Sequence, residues 1–495
     1  MLLLGLDIGT SSVKASLVDA ATQQLISESQ YPNKEREITA KQTGWAEQNP
    51  ETWWQDCLMA IQGLSIPVPY HKKDIVAIGI AYQMHGLVVV DKQQNVLRPS
   101  IIWCDSRASE IGNQAFEAIG KQYCLENLLN SPGNFTASKL SWVKKNEQDI
   151  YEKIDKMMLP GDYIAMKLTG QISSTSAGLS EGIFWDFNTN TISQKILNHF
   201  GFDESIIPAT KPVFSSHGTI KKDIAQLLGL SENVEVCYKA GDQPNNALSL
   251  NVFEPGEIAA TAGTSGVIYA VSEKIRYDSQ SRVNSFAHVN HSPTNPRIGV
   301  LLCINGTGIL NSFVKNKMTS GLEYAEMNRL AQKTSIGADG LSILPFGNGA
   351  ERVFNNQQIG SQILNLDFNK HTQGHIFRGV QEGIACSFNY GFEIMKEMGV
   401  VPTVIRAGKA NLFLSDLFVE ALVSITQQPV ELYKTDGAKG AALAAGIGKN
   451  IYKNRNEAFE KIEKIKTVEP EYHKVEKYKT VFGNWENQLG KFIKN

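Results

Sequence analysis

Cysteine is scarce in this chain: six residues in 495 (Cys57, Cys104, Cys124, Cys237, Cys303, Cys386), with no C-x-x-C pair and no zinc-type spacing. That argues against a disulfide framework or a thiolate metal site, and reduced, mostly buried thiols are expected. An excess of one charge is lacking as well. Forty-eight Lys and Arg face 50 Asp and Glu, a formal net charge of −2, which offers no bulk attraction for nucleic acid or an anionic membrane surface. No uninterrupted apolar run approaches the roughly 20 residues of a membrane span. The opening MLLLGLDIG meets Asp7 too soon for the apolar stretch of a signal peptide. The expectation is a cytoplasmic protein with neither nucleic acid nor membrane as a partner. What is present, 42% hydrophobic and 20% charged residues, reads as globular, and the length suggests two domains.

A hairpin pattern occurs twice. GLDIGTSSVKASLVD, from Gly5 to Asp19, and AATAGTSGVIYAVSE, from Ala259 to Glu273, each carry an apolar strand, a small-residue turn and an alternating strand. Leu2 to Ile8 reads as a strand buried on both faces, and Val13, Ala15 and Leu17 alternate with Lys14 and Ser16. NPETWWQDCLMAIQGL predicts a helix capped by Asn49, with Pro50 and Glu51 in its first turn and a stripe of Trp53, Trp54, Cys57, Leu58, Ile61 and Leu64. DIVAIGIAYQMHGLVVVD predicts two strands around a break at Gln83 to Gly86. In the second half, GHIFRGVQEGIACSFNYGFEIMKEMG, SDLFVEALVSIT and the small-residue GAKGAALAAGIG read as helices, and TVIRAG as an apolar run. The mixture predicts an α/β protein. Its boundary is expected near residues 245 to 257, giving domains 1–245 and 246–495 with two polar turns facing one cleft.

Amides and hydroxyls in Gly/Thr/Ser turns make concave anion sites. Thr10 and Thr264 hold the same place in their turns, so the pair could hold nucleotide phosphates, with Lys14 adding charge. Asp7, entering the first turn, could hold Mg²⁺ directly or through water. In AGDQPNNALSL, Asp242 has two readings that stand side by side: a carboxylate that accepts a proton from an attacking hydroxyl, or a helix cap. At the strand break, Met84 could pack on a carbon skeleton and His85 could bond a hydroxyl. WCDSR, with Trp103, Asp105 and Arg107, offers an aromatic face and a charged pair suited to a polyol, or an ordinary structural ion pair.

These stretches, together with GWAEQNPETWW, LRPSIIWCDSRA, LPGDYIAMKLTG and FRGVQEGIA, resemble the FGGY family of carbohydrate kinases along nearly the whole chain. QMHG and the Trp-Ala-Glu-Gln segment resemble the members that act on D-xylulose. The resemblance implies two actin-like (ribonuclease H-like) domains that close on ATP and a sugar, with Mg²⁺. It implies Asp242 as catalytic base and second metal contact beside Asp7. Met84 and His85, with Trp103, Asp105 and the nearby Asn246, are then the sugar contacts. Thr10, Ser11 and Lys14 match the first phosphate loop, and Gly263, Thr264 and Ser265 the second. The family's adenosine-binding glycine run appears here as IRAGKANLFLSD: Gly408 and Asn411 remain as contacts, while Ala407 and Lys409 replace glycines. That departure implies weaker ATP binding or an altered nucleotide preference. Other acceptors (ribulose, gluconate, glycerol or a deoxy-sugar), a non-phosphorylating ATPase and a sugar sensor are the alternatives. Relatives of this kind are often homodimers.

Overall fold

A computed structural model describes residues 1–319 and 321–493. The chain forms two compact units, both of α/β type. The first comprises Met1–Phe253, Phe286–Ile298 and Thr435–Ile462; the second comprises Glu254–Ser285, Gly299–Lys434 and the chain from Glu463 on. The expected single cut at 245/246 differs from this division, because the first unit runs on to Phe253 and takes back two later segments.

The first unit is built on a six-stranded sheet in the order Phe214–Thr219, Glu235–Gly241, Ile75–Tyr82, Leu2–Ile8, Val13–Asp19, Leu25–Tyr31. Leu2–Ile8 runs antiparallel to Val13–Asp19 with Asp7 opposite Lys14. It runs parallel to Ile75–Tyr82, which is parallel in turn to Glu235–Gly241. Strand alternation sends Leu2, Leu4, Leu6 and Ile8 to one face, where they cluster with Trp53, Trp54, Cys57 and Ile61 of the helix Pro50–Gln62. Asn49 caps that helix, its side chain accepting the Glu51 N–H at 3.0 Å.

The opposite face carries Gly5 and Asp7. Here the helix Gly437–Gly448 lies so close that a Cβ at Gly5 would run into the Ala438 carbonyl, and one at Gly79 into the Ala441 carbonyl. This contact explains why Thr435–Ile462 belongs to the first unit: a small-residue helix needs glycine on the strands it covers. It also explains why Ser16, which alternates with the apolar residues of its strand, is fully buried, since helices cover the sheet on both sides.

The second unit repeats the plan. Its seven-stranded sheet has the order Asn284–Ala287, Ile298–Ile304, Gly266–Ser272, Glu257–Ala262, Val404–Gly408, Val430–Tyr433, Lys464–Val468. Glu257–Ala262 pairs antiparallel with Gly266–Ser272 and parallel with Val404–Gly408; a second parallel strand and an antiparallel edge follow. The first unit has the same succession of directions outward from its hairpin, ending on the antiparallel Phe214–Thr219. Helices Gln373–Glu397 and Asp416–Thr426 supply much of the core, the latter capped by Ser415. All six cysteines are free and four are buried, as expected of most; Cys104 and Cys303 are exposed. Among the described residues no helix is long and apolar enough to cross a membrane.

Candidate functional site

Three neighbouring parallel strands of the first unit end in register, Ile8 beside Tyr82 and Tyr82 beside Gly241. Their continuations therefore emerge side by side at the carboxyl edge of the sheet, the usual place for a ligand in such folds. They are the Gly9–Ser12 turn, the Gln83–Gly86 break and Asp242.

Asp242 opens the helix Asp242–Ser249, and the capping position is Gly241. Its carboxylate bonds Gln243 and is pushed up to about 7, first by burial and then by the charge of Asp7. Asp7 is pushed up to about 6 by burial and by Asp436, against the pull of Lys14. Asp436, which sequence reasoning passed over, caps the helix Gly437–Gly448 through the Lys439 N–H at 2.8 Å. Gly437 lies against Asp7, where a Cβ would meet its Oδ2. Lys14, expected to add charge to phosphates, is already paired: Nζ lies 2.7 Å from Asp436 Oδ2 and 2.8 Å from Glu28 Oε2. Among the described residues no three His, Cys, Asp or Glu side chains converge to hold a metal ion. Asp7 and Asp242, two hard carboxylates each raised in part by neighbouring negative charge, fit a dication that keeps most of its water.

The break between Ile75–Tyr82 and Val88–Val90 is held from below. His85 has φ +62°, a left-handed conformation uncommon outside glycine. Its carbonyl accepts from Lys139 Nζ at 2.8 Å, which also donates to the Ile102 carbonyl at 3.0 Å. Lys139 is wholly buried, and burial lowers it to about 7. The His85 ring places Nδ1 3.0 Å from the Glu181 carbonyl. A carbonyl only accepts, so Nδ1 carries the proton. Phe135 and Phe286 pack on the ring at 4.8 and 5.3 Å between centroids. Glu181 is buried, and its carboxyl is raised well above the usual range, first by burial. A Cβ at Gly241 would run into both the Glu181 carboxylate and the Met84 side chain. Neither Lys139 nor Glu181 has a local sequence signal; only the fold brings them here.

Trp103 is 53% exposed and donates its indole N–H to Thr10 Oγ1 at 2.9 Å. Thr10 in turn bonds Gln83 Oε1 at 3.3 Å. Ser11 and Asn246 are half-buried at the same edge. Asp105 requires a correction. It is wholly buried, accepting the Ala46 N–H at 2.6 Å and three contacts from the Arg107 guanidinium. Arg107 lies 3.8 Å from the Trp45 ring and also bonds Glu47. With both oxygens used inside the loop, Asp105 holds structure and does not face a sugar.

In the second unit, Gly263 and Thr264 stand at the edge of a cleft of about 430 Å³ that is also lined by Ile309, Tyr324, Asn411 and Leu414. The Gly263 and Thr264 carbonyls accept the Gly308 and Ile309 N–H groups at 2.9 and 3.1 Å, so the helix Gly308–Met318 braces the turn. Ser265 closes the turn, half-buried. Asn411, with φ +52°, places its amide nitrogen where a Cβ added to Gly263 would just touch it. Gly408 is not among the lining residues, and neither Ala407 nor Lys409 narrows the cleft. Ala407 is buried in the core and Lys409 is exposed, so the departure from the glycine run falls outside the cleft walls.

Residues 2–249 match the N-terminal domain of the FGGY family of carbohydrate kinases. The chain is 29% identical over 471 residues to a xylulose kinase of Staphylococcus xylosus, covering 92% of this chain and 93% of that one. The fold is shared by a xylulose kinase from Rhodospirillum rubrum, with TM-score 0.87, 23% identity and 99% of each chain covered. It is shared too by a Plasmodium falciparum glycerol kinase with ADP, with TM-score 0.86, 19% identity and coverage of 100% of this chain and 98% of that one. The two α/β units are thus the two domains of an actin-like ATPase fold.

Proposed function

The chain belongs to the FGGY family of carbohydrate kinases, and from that premise we propose that it transfers the γ-phosphoryl group of ATP to the terminal hydroxyl of D-xylulose, giving D-xylulose 5-phosphate. The observation that carries this reading is Asp242. It is a carboxylate at a strand's carboxyl end with its proton affinity raised to about 7, next to Met84 and the His85 segment. A base with that affinity is about half ionised at neutral pH and basic enough to take a hydroxyl proton as the phosphoryl group arrives. The xylulose kinases among the relatives support the ketose; the glycerol kinase neighbour with ADP supports the nucleotide and keeps a smaller polyol as the second reading.

Residues take roles as follows. Met84, His85, Trp103 and Asn246 bind the sugar. The Gly9–Ser12 turn, with Thr10 and Ser11, and the Gly263–Ser265 turn take the phosphates through their N–H groups, which stabilise charge on the transferring group. The cleft beside Asn411 takes the nucleoside. Asp7 and Asp242 would hold Mg²⁺, which when bound neutralises phosphate charge. Lys14 acts through Asp436 in this reading and fixes its place beside Asp7. A cytoplasmic homodimer completes the proposal.

An assay of ADP release with MgATP and a panel of ketoses and polyols tests it. Turnover that depends on D-xylulose is expected. Turnover with glycerol, ribulose or gluconate instead moves the assignment to that acceptor. ADP release independent of any sugar, or none at all, leaves an ATPase or a sensor.

A further inference from the structure

We propose that Gln48 is a positioning residue that ties the first turn to the sugar-facing segment through one hydrogen-bonded relay, so that Trp103 and Thr10 respond together when substrates bind. The relay rests on the kinase reading above and deepens it, because it makes the two substrates' affinities interdependent.

The direction of every bond follows from one end. An indole N–H can only donate, and Trp53 Nε1 lies 2.9 Å from Gln48 Oε1. That fixes the Gln48 amide, so its NH₂ faces the Thr10 carbonyl at 2.7 Å. Gln83 Nε2 donates to the same Gln48 oxygen at 3.4 Å, which leaves Gln83 Oε1 to accept the Thr10 hydroxyl at 3.3 Å. The Thr10 oxygen is then left to accept from Trp103 Nε1 at 2.9 Å. No orientation is left free.

Burial grades along the chain. Trp53 and Gln83 are each 2% exposed and Gln48 is 7%, whereas Trp103 is 53% exposed. The inner end is therefore rigid and the outer end open. A sugar hydroxyl placed on Trp103 competes for the indole N–H and relieves the Thr10 oxygen, at the turn assigned to phosphate. Gln83 is the residue before Met84 and His85, so the same relay fixes the segment that meets the carbon skeleton. Nucleotide and sugar then bind with a coupling set by these bonds, and the coupling must be reciprocal.

The coupling factor is the ratio of dissociation constants for a magnesium complex of a non-hydrolysable ATP analogue, without and with saturating D-xylulose, by calorimetry. In the parent it is expected to be about fivefold or more. Trp103→Phe keeps an aromatic face and loses the N–H; Gln48→Leu removes the brace; Gln48→Glu keeps the acceptor toward Trp53 and sets a carboxyl oxygen against the Thr10 carbonyl in place of the donor. Each is expected to bring the factor near 1, and the double variant Gln48→Leu/Trp103→Phe to do no more than either alone. A coupling factor of 1 in the parent with both ligands bound, or one unchanged in the variants, overturns the relay; a purely structural Gln48 would lower the melting temperature and leave coupling intact. Failure of D-xylulose to bind the parent counts against the substrate assignment alone. The relay is then read without ligand: hydrogen exchange at residues 9–13 rises about tenfold in Gln48→Leu and Gln48→Glu if one buried bond holds the turn, and equal exchange overturns it.

Discussion

Replacing Asp242 by Asn should remove activity while stabilising the unliganded protein, and the size of the gain depends on pH. Asp242 is raised from 3.8 to about 7 by burial and by Asp7. The folded state therefore holds its proton more tightly than the unfolded chain. Its contribution to stability is fully present below about pH 4 and is lost progressively as pH rises through about 7. A shift of about 3 units corresponds to at most about 4 kcal/mol. Asp242 as a residue is half-buried, so about 2–3 kcal/mol is the expected cost at pH 8. Asn keeps the shape without the charge. Melting curves of parent and Asp242→Asn in metal-free buffer should lie close together at pH 4.5, where only about a quarter of the cost is present, and the variant should melt several degrees higher at pH 8. Its turnover should fall by about 10²- to 10⁴-fold, the range of a general base. An equal shift at both pH values, or a lower melting temperature at pH 8, would refute the electrostatic reasoning even if activity is lost.

The other expectations concern single contacts. Asp105→Ala should cost about 3 kcal/mol, because it strips the buried Arg107 of its main partner, with little change in sugar KM; a large rise in KM at unchanged stability would restore Asp105 to the sugar site. Gly79→Ala should destabilise by about 1–3 kcal/mol or more in denaturant titration, since the Cβ meets the Ala441 carbonyl; an unchanged midpoint would show that the helix Gly437–Gly448 can retreat. Asn411→Ala should raise the ATP KM about fivefold or more, whereas Lys409→Gly should leave it unchanged; the reverse ranking would return the nucleotide site to the altered glycine run.

Local signals carried much of the fold. Both hairpins, the Asn49 cap and the break at Gln83 were visible because each is written within a few consecutive residues. The two-unit boundary was harder. GAKGAALAAGIG announces a helix that packs closely, yet nothing near it names its partners Gly5 and Gly79, some 360 to 430 positions earlier. Asp436 escaped for the same reason, its bond to Lys14 spanning 422 positions. Asp105 was read with Trp103 because an aromatic followed by an ion pair fits a polyol. In a loop no period tells which side chain faces out, and here Trp103 is 53% exposed while Asp105 is 0%.

The most direct test of the central claim is phosphorus NMR of the parent protein with ATP, Mg²⁺ and D-xylulose. The account predicts that a sugar phosphate ester and ADP appear in equal amounts, and that both vanish when either D-xylulose or the Asp242 carboxylate is removed. Inorganic phosphate in place of the ester, or ester formed at the parent rate by Asp242→Asn, would contradict it.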